Sequence, residues 1–171
     1  MASDSPTDLM PGDCLLYRPP SFKPGLRGLT SWLIGRAIAI KTWNNISHVE
    51  VYAGEGWNVA SRDGVGVNKY PLRTAGLAKV LRPVSPIFMA DAMAWFENKA
   101  CGQKYDWLGL MCFTLAVKQG AKDRMFCSEF ATRFYREGHL QVFGQYDADK
   151  IAPAQFLMCD DFISSWNDGN R

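Results

Sequence analysis

A cysteine stands at the start of a predicted amphipathic helix. In "MFCSEFATRFYREGH" (residues 125–139), Cys127 is followed at helical spacing by Phe130, Ala131 and Phe134, so we predict a buried face with the cysteine at its exposed end. Unpaired N–H groups and the helix dipole at that end would stabilise a thiolate, lower the thiol pKa from roughly 8.5, and hold an oxyanion. Cys127 is therefore a candidate nucleophile; the alternative is a core cysteine on the same stripe.

A thiol nucleophile needs a base, and the chain contains two histidines, His48 and His139. His139 follows Cys127 by 12 residues, which at ~1.5 Å per helical residue places it about 18 Å away. We expect it to cap the helix or to lie on the surface. His48 lies within the strand-like segment "SHVEVY" and is the candidate base, with a purely structural histidine as the alternative.

The imidazole of a catalytic histidine needs a polar partner that fixes its orientation. Strand alternation places Glu50 on the same face as His48. If the following hairpin is symmetric about residue 54, His48 faces Ala60 and Glu50 faces Asn58. Glu50 is therefore the candidate for the orienting group. The alternative is a solvated glutamate on an exposed strand face.

The composition predicts a single compact domain over residues 1–171, with residues 1–10 as a flexible leader. Hydrophobic residues make up 47% of the chain and charged residues only 21%, which excludes a disordered protein. The net charge of +2 comes without a basic stripe, so we expect no nucleic-acid partner. No secretory signal or membrane-spanning stretch is evident, and we expect cytoplasmic synthesis without membrane insertion.

The five cysteines are widely and irregularly spaced, and no CxxC pair occurs. With only two histidines in the chain, this pattern argues against a zinc site, and a disulfide framework is not expected in a cytosolic chain of this size. We expect most of the cysteines to be small buried side chains and at most one to be reactive.

Hydrophobic periodicity and turn residues predict an α+β fold, a small antiparallel sheet or half-barrel packed against helices. The predicted strands lie within residues 12–18, 46–54, 57–61, 62–72 and 78–84. The predicted helices cover residues 26–43, 86–102, 104–117 and 127–138, and a last short strand or helix lies in the tail.

The order of several motifs resembles the circularly permuted branch of the NlpC/P60 superfamily of papain-like cysteine peptidases and amidases. "GDCLLY" and "SHVEVYAGEG" come first, and "YDWLG" and "FCSEF" come last, whereas the usual family order places the cysteine helix first. "FCSEF" and the later "IAPAQFL" look like the YiiX/YebB-like members of that branch. The resemblance extends from Gly12 to about Leu157, and it implies a permuted papain-like fold.

The resemblance implies Cys127 as nucleophile and His48 as base. It also implies that Tyr105, in "GQKYDW", lines the site near the oxyanion, and a core aromatic is the alternative for this residue. We expect Ser128, at the same helix start as Cys127, to line the site too.

One position departs from the family pattern. The third catalytic residue usually lies 12 positions after the histidine, and that position is Ala60 here. We expect the orienting role to have moved to Glu50, with Asn58 or Ser61 as fallbacks. The other interpretation is a degraded triad in a protein that no longer catalyses.

The resemblance implies a cysteine hydrolase that cleaves a peptide or muropeptide amide bond, most of all in peptidoglycan stem peptides, without metal or organic cofactor. Such an enzyme would reach the wall by lysis or in a virion. One alternative is a lipid acyl hydrolase or acyltransferase of the lecithin:retinol acyltransferase-like type, with an acyl groove lined by "SWLIG" and "FTLAV". A second alternative is a non-catalytic binding module on the same fold. The sequence leaves the scissile bond and the oligomeric state open.

Overall fold

The computed structural model describes residues 8–21, 44–106 and 124–167, together with Pro6, Trp32 and Arg36. The predicted α+β class is confirmed: these residues form a six-stranded antiparallel sheet of order β4-β3-β2-β1-β5-β8, with helices packed against it. The strands of this sheet are β1 (Cys14–Tyr17), β2 (His48–Gly54), β3 (Trp57–Arg62), β4 (Gly66–Pro71), β5 (Leu77–Pro83) and β8 (Phe162–Asn167). Strands β6 (Lys104–Tyr105) and β7 (Arg124–Met125) form a separate parallel pair.

Two α-helices lie among the described residues. Helix α1 (Met89–Trp95) continues into a π-helical turn (Phe96–Ala100), so it accounts for most of the helix predicted over residues 86–102. Helix α2 (Cys127–Glu137) matches the helix predicted over residues 127–138 and packs on β2 and β3. The tail contains a 3-10 helix (Pro153–Met158) before β8. None of the described helices has the length and apolar character needed to cross a bilayer.

Strand β2 separates two differently filled faces of the sheet. Val49 and Val51 point into the main core, where they join Phe130 and Phe134 of α2. Because successive strand side chains point to opposite faces, His48, Glu50 and Tyr52 lie on the other side of β2. Helix α2 therefore covers the valine face of β2.

The register of the β2–β3 hairpin differs from the prediction by two residues. We expected Glu50 opposite Asn58, but Asn58 pairs with Tyr52. Continuing this register places His48 opposite Arg62. The difference arises at the turn, where the register shifts between Tyr52 and Gly54 and three consecutive residues (54–56) have positive φ.

The prediction of a helix over residues 104–117 was wrong for its first two residues. Residues 104–105 are strand β6, paired with β7, because the preceding chain is already hydrogen-bonded to β4: the Val67 N–H donates to the Gln103 carbonyl oxygen at 2.8 Å. Residues 107–117 of that prediction lie outside the described residues. So does the helix predicted over residues 26–43, apart from Trp32 and Arg36.

The described cysteines are free thiols, and they differ in exposure. Cys14 and Cys127 are buried, whereas Cys101 is exposed and Cys159 is half-buried. The expectation that most of the cysteines are buried therefore holds for two of the four described ones, and the exposed Cys101 lies in the turn that follows the π-helical segment. Cys112 lies outside the described residues.

Replacement of Gly66 by alanine should destabilise the protein by about 3 kcal/mol, because the conformational strain adds to a steric clash. Gly66 has φ +93°, and a Cβ there would lie 2.1 Å from the Gln103 carbonyl oxygen. Gly64→Ala is the matched control: Gly64 has φ +77° with open space around it, so it should cost only about 1 kcal/mol. Urea unfolding of both variants measures the difference, and equal losses would contradict the close approach of β4 to β6.

Candidate functional site

Cys127 is the first residue of α2, and its side chain is only 1% exposed, which corrects the expectation of an exposed end. The extended residue before it, Phe126, supplies no side-chain cap, so the N–H groups of the first turn keep their partial positive charge. Burial alone raises the pKa of the Cys127 thiol. The charge and hydrogen bond of His48 and the backbone N–H groups of Val49 and Ser128 outweigh burial, so the pKa is lowered.

His48 joins the thiol to a carboxylate. Its Nε2 lies 3.0 Å from Oε1 of Glu50, and its side chain also hydrogen-bonds Cys127. Since Nε2 is engaged by Glu50, Nδ1 is the ring nitrogen that remains for the sulfur. Burial lowers the pKa of His48, but the charges and hydrogen bonds of Cys127 and Glu50 outweigh it and raise the pKa above its ordinary value. Opposite shifts of a thiol and an imidazole favour a thiolate–imidazolium pair.

Glu50 is fully buried, so the alternative of a solvated glutamate on an exposed strand face was wrong. Its carboxylate accepts hydrogen bonds from His48, from Asn58 Nδ2 at 2.7 Å and from two nitrogens of Arg62 at 2.8 Å, and Arg73 lies 3.3 Å away. Burial alone raises the pKa of Glu50. These partners outweigh burial and hold the pKa well below its usual range, so Glu50 stays ionised beside the imidazole.

The two fallback residues have other partners. The Nδ2 of Asn58 donates to Glu50 at 2.7 Å and to the hydroxyl of Tyr17 at 3.4 Å. The hydroxyl of Ser61 donates to the carbonyl oxygen of Met125 at 2.6 Å, on the core face of β3, where it anchors the strand that leads into α2. Of the three candidates for the orienting group, Glu50 is the one that hydrogen-bonds His48.

The side chain of Tyr105 is hydrogen-bonded to Cys127. Burial is the main cause of the raised pKa of Tyr105, and the charge of Cys127 adds to it, so the hydroxyl stays protonated as a donor to the sulfur. Ser128 contributes to the site through its backbone, because its side-chain hydroxyl donates to the carbonyl oxygen of Ile151 at 2.6 Å. The backbone N–H of Ser128 is the group that contacts the thiol.

The second histidine lies on the surface, as expected. His139 is exposed, has φ +65°, and pairs with Asp91 through Nε2 at 2.8 Å. It also packs edge-on against the exposed ring of Phe88. His48 is therefore the histidine that the fold brings to Cys127.

Two arginines around Glu50 were missed by sequence reasoning. Strand alternation places Arg62 on the face of Asn58, two residues beyond the alanine that replaces the usual third residue, so the period of two could have pointed to it. Arg73 follows β4 and packs over the Tyr17 ring at 4.4 Å. No local pattern marks Arg73, because only the return of the chain across the sheet brings it to the carboxylate.

The arrangement can supply an activated nucleophile, a proton donor and acceptor, and N–H groups for an oxyanion. Among the described residues, no cluster of three or more His, Cys, Asp or Glu side chains could hold a metal ion. Scans against protein-family models and against curated proteins found no match to the chain.

Proposed function

We propose that this chain is a cysteine hydrolase that cleaves an amide bond, with peptidoglycan stem peptides as the leading substrate class. The observation that carries the proposal is the imidazole of His48, placed between the thiol of Cys127 and the carboxylate of Glu50 at the N-terminus of α2. A core cysteine would need neither the histidine nor the N–H groups of the first helical turn. These partners favour a nucleophile over a packing residue.

The proposed reaction begins when the Cys127 thiolate attacks the carbonyl carbon of the substrate amide. Backbone N–H groups at the start of α2 hold the oxyanion, and His48 gives its proton to the leaving amine as the C–N bond breaks. The acyl group then remains on sulfur as a thioester. Neutral His48 accepts a proton from water, the hydroxide attacks the thioester, and the carboxylic acid leaves as the thiol is restored. Glu50 holds the ring and stabilises its positive charge.

Motif order supports a permuted papain-like fold within the NlpC/P60 superfamily as the architecture. Asp13 directly precedes β1, His48 opens β2 and Cys127 opens α2, which is the order expected for the permuted branch. The usual third position, Ala60, is fully buried on β3 and offers no polar atom. We propose that Glu50 has taken over its role from the neighbouring strand, so the alanine is no sign of a degraded triad.

Purified protein incubated with muropeptides that carry tri- and tetrapeptide stems should release cleaved stem fragments detectable by liquid chromatography and mass spectrometry. Cys127→Ala, verified as folded by its melting temperature, should release none. Phospholipid and acyl-thioester donors in parallel reactions test the acyltransferase alternative, whose predicted groove segments lie outside the described residues apart from Trp32. Cleavage that persists in Cys127→Ala, or muropeptide binding without turnover, would contradict the proposal, and the second result would favour a binding module.

A further inference from the structure

The carboxylate of Glu50 has more cationic partners than a histidine-orienting group needs. Arg62 binds both of its oxygens, with Nε at 2.8 Å from Oε1 and NH2 at 2.8 Å from Oε2. Arg73 approaches Oε1 at 3.3 Å. With a thiolate–imidazolium pair formed, three cations (His48, Arg62, Arg73) face two anions (Glu50, Cys127), so the buried carboxylate is more than neutralised.

Arg62 is also held in place by an aromatic ring. Its guanidinium lies over the ring of Tyr70 at 4.1 Å, and the Tyr70 hydroxyl donates to the carbonyl oxygen of Gly66 at 2.7 Å. A planar guanidinium that stacks on a ring and binds a carboxylate with two donors has one defined orientation. Arg73 has a longer contact, and 44% of its side chain is exposed against 22% for Arg62. Arg62 is therefore the stronger constraint on Glu50.

We propose that Arg62 is the positioning residue of this site: it clamps both carboxylate oxygens of Glu50, so that Oε1 is held where it accepts the Nε2–H of His48. This inference rests on the proposed function, because positioning matters only if the thiol–imidazole pair reacts. A glutamate side chain has three rotatable bonds. Asn58 binds one of its oxygens and Arg73 approaches the other at 3.3 Å, whereas Arg62 binds both. The clamp also keeps a buried carboxylate ionised, which burial opposes.

The positive charge of Arg62 should lower the pKa of both Cys127 and His48. Removing a nearby positive charge makes every neighbouring acid hold its proton more tightly, so the thiol of Cys127 and the imidazolium of His48 should both titrate at higher pH. Among the described residues, the other ionisable groups near this line of side chains are Tyr17 from β1, Glu50 from β2, Tyr70 from β4, Arg73 after β4 and Tyr105 from β6, with Asp63 and Asp106 near Tyr105. All of them remain in an Arg62 variant, so its shift reports Arg62 alone.

The test compares Arg62→Met with Arg62→Lys. Arg62→Met should move the His48 titration up by about one pH unit, the low end of the range for a charge within about 4–6 Å, because Arg62 is partly exposed. The Cys127 titration should move in the same direction by less, because the imidazole lies between the thiol and Glu50. Arg62→Lys keeps the charge but cannot bind both oxygens in one plane, so both titrations should stay while turnover falls about tenfold or more. Iodoacetamide alkylation of Cys127, read by peptide mass spectrometry, follows the thiol. Imidazole NMR follows His48, with His139 as reference in the same sample.

Arg82 provides the matched control. It binds both oxygens of the fully buried Asp13 at 3.0 Å, at the end of β1 opposite to the one that pairs with His48. Arg82→Met should lower stability as Arg62→Met does, without moving either titration. Arg73→Met should move both by less than Arg62→Met.

Two results would overturn the inference. One is an Arg62→Met protein that loses stability while both titrations stay in place. The other is an Arg62→Lys protein with unchanged turnover, because the bidentate geometry would then be irrelevant. Failure of the proposed function looks different: the alkylation profiles of wild type and His48→Ala would coincide, whatever Arg62 does. The two failures are therefore distinguishable.

Discussion

Replacement of His48 by alanine should slow the alkylation of Cys127 by iodoacetamide at pH 6 by about 30-fold. A thiol of ordinary pKa is only about 0.3% thiolate at this pH, so its thiolate concentration is about 300-fold lower than that of a fully ionised thiolate–imidazolium pair. A thiolate of low pKa is also a weaker nucleophile, which reduces the expected difference in rate by about tenfold. Burial raises the pKa of the Cys127 thiol once the imidazolium is gone, so the loss can only be larger. Peptide mass spectrometry of quenched samples from pH 5 to pH 9 measures the rate at each cysteine.

Two controls accompany this measurement. The exposed thiol of Cys101 provides a reference in every digest, and His139→Ala removes the surface histidine, so it should leave the Cys127 profile unchanged. A His48→Ala profile that superimposes on that of wild type would mean that the imidazole does not sustain a thiolate, and the hydrolase proposal would fail.

Hydrolysis should depend on pH differently from alkylation. The lowered pKa of Cys127 and the raised pKa of His48 bracket a window in which thiolate and imidazolium coexist. Above that window the thiolate persists but His48 can no longer protonate a leaving amine. Turnover should therefore fall at high pH while alkylation does not.

Glu50→Gln should lower the free energy of unfolding by about 2–3 kcal/mol at pH 7. Removing one partner of a buried ion pair typically costs 3–5 kcal/mol, and the partial exposure of Arg62 and Arg73 reduces the cost because water can solvate the guanidinium groups left behind. Urea unfolding at pH 7 measures the difference. The amide also presents a neutral acceptor to His48, so turnover should fall about 10²-fold or more.

The pH dependence of that difference has a defined sign. The pKa of Glu50 is lower in the folded protein than in the unfolded chain, so its stabilisation is fully present above the unfolded value of roughly 4.5 and is lost as pH falls toward the folded value. The gap between wild type and Glu50→Gln should therefore shrink between pH 6 and pH 3. A gap that stays constant over this range would contradict an ionised, caged carboxylate.

Asp13→Asn is the control for a loss of stability that does not affect the reactivity of Cys127. Asp13 is as buried as Glu50 and is bound by one arginine and by the Met10 N–H at 2.8 Å. Its replacement should destabilise the protein, with the Cys127 alkylation profile unchanged. The comparison separates the loss of a buried charge pair from the loss of the group that orients His48.

The sequence pattern was sufficient to predict features that depend on a single helix or strand. Helical spacing in "CSEFATRFYREG" predicted α2 and its buried stripe of Phe130, Ala131 and Phe134. Alternation in "SHVEVYAG" predicted β2 and placed His48 and Glu50 on one face. With two histidines in the chain, and one of them a helix length from Cys127, the candidate base followed from elimination. Each of these steps depends on periodicities of 3.6 or 2 that a short segment carries by itself.

Contacts between elements required the tertiary structure, because they depend on how distant segments meet. The register of the β2–β3 hairpin is set by a shift between Tyr52 and Gly54. Because the register differs from the prediction by two residues, His48 lies opposite Arg62 instead of Ala60. Lys104–Tyr105 pairs as a strand because Arg124–Met125, about 20 residues later, lies beside it. Sequence reasoning read this segment as a helix, since nothing in the segment itself indicates its partner.

The sequence by itself determined the α+β class, the helix that begins at Cys127, and the pairing of His48 with Glu50 along one strand. Tertiary structure alone decided that Glu50 is buried and that Arg62 and Arg73 surround it. The physical reason is that a carboxylate's ionisation and orientation depend on charges within a few ångströms in space. Strands β2 and β3 and the segment after β4 must come together before those charges surround it.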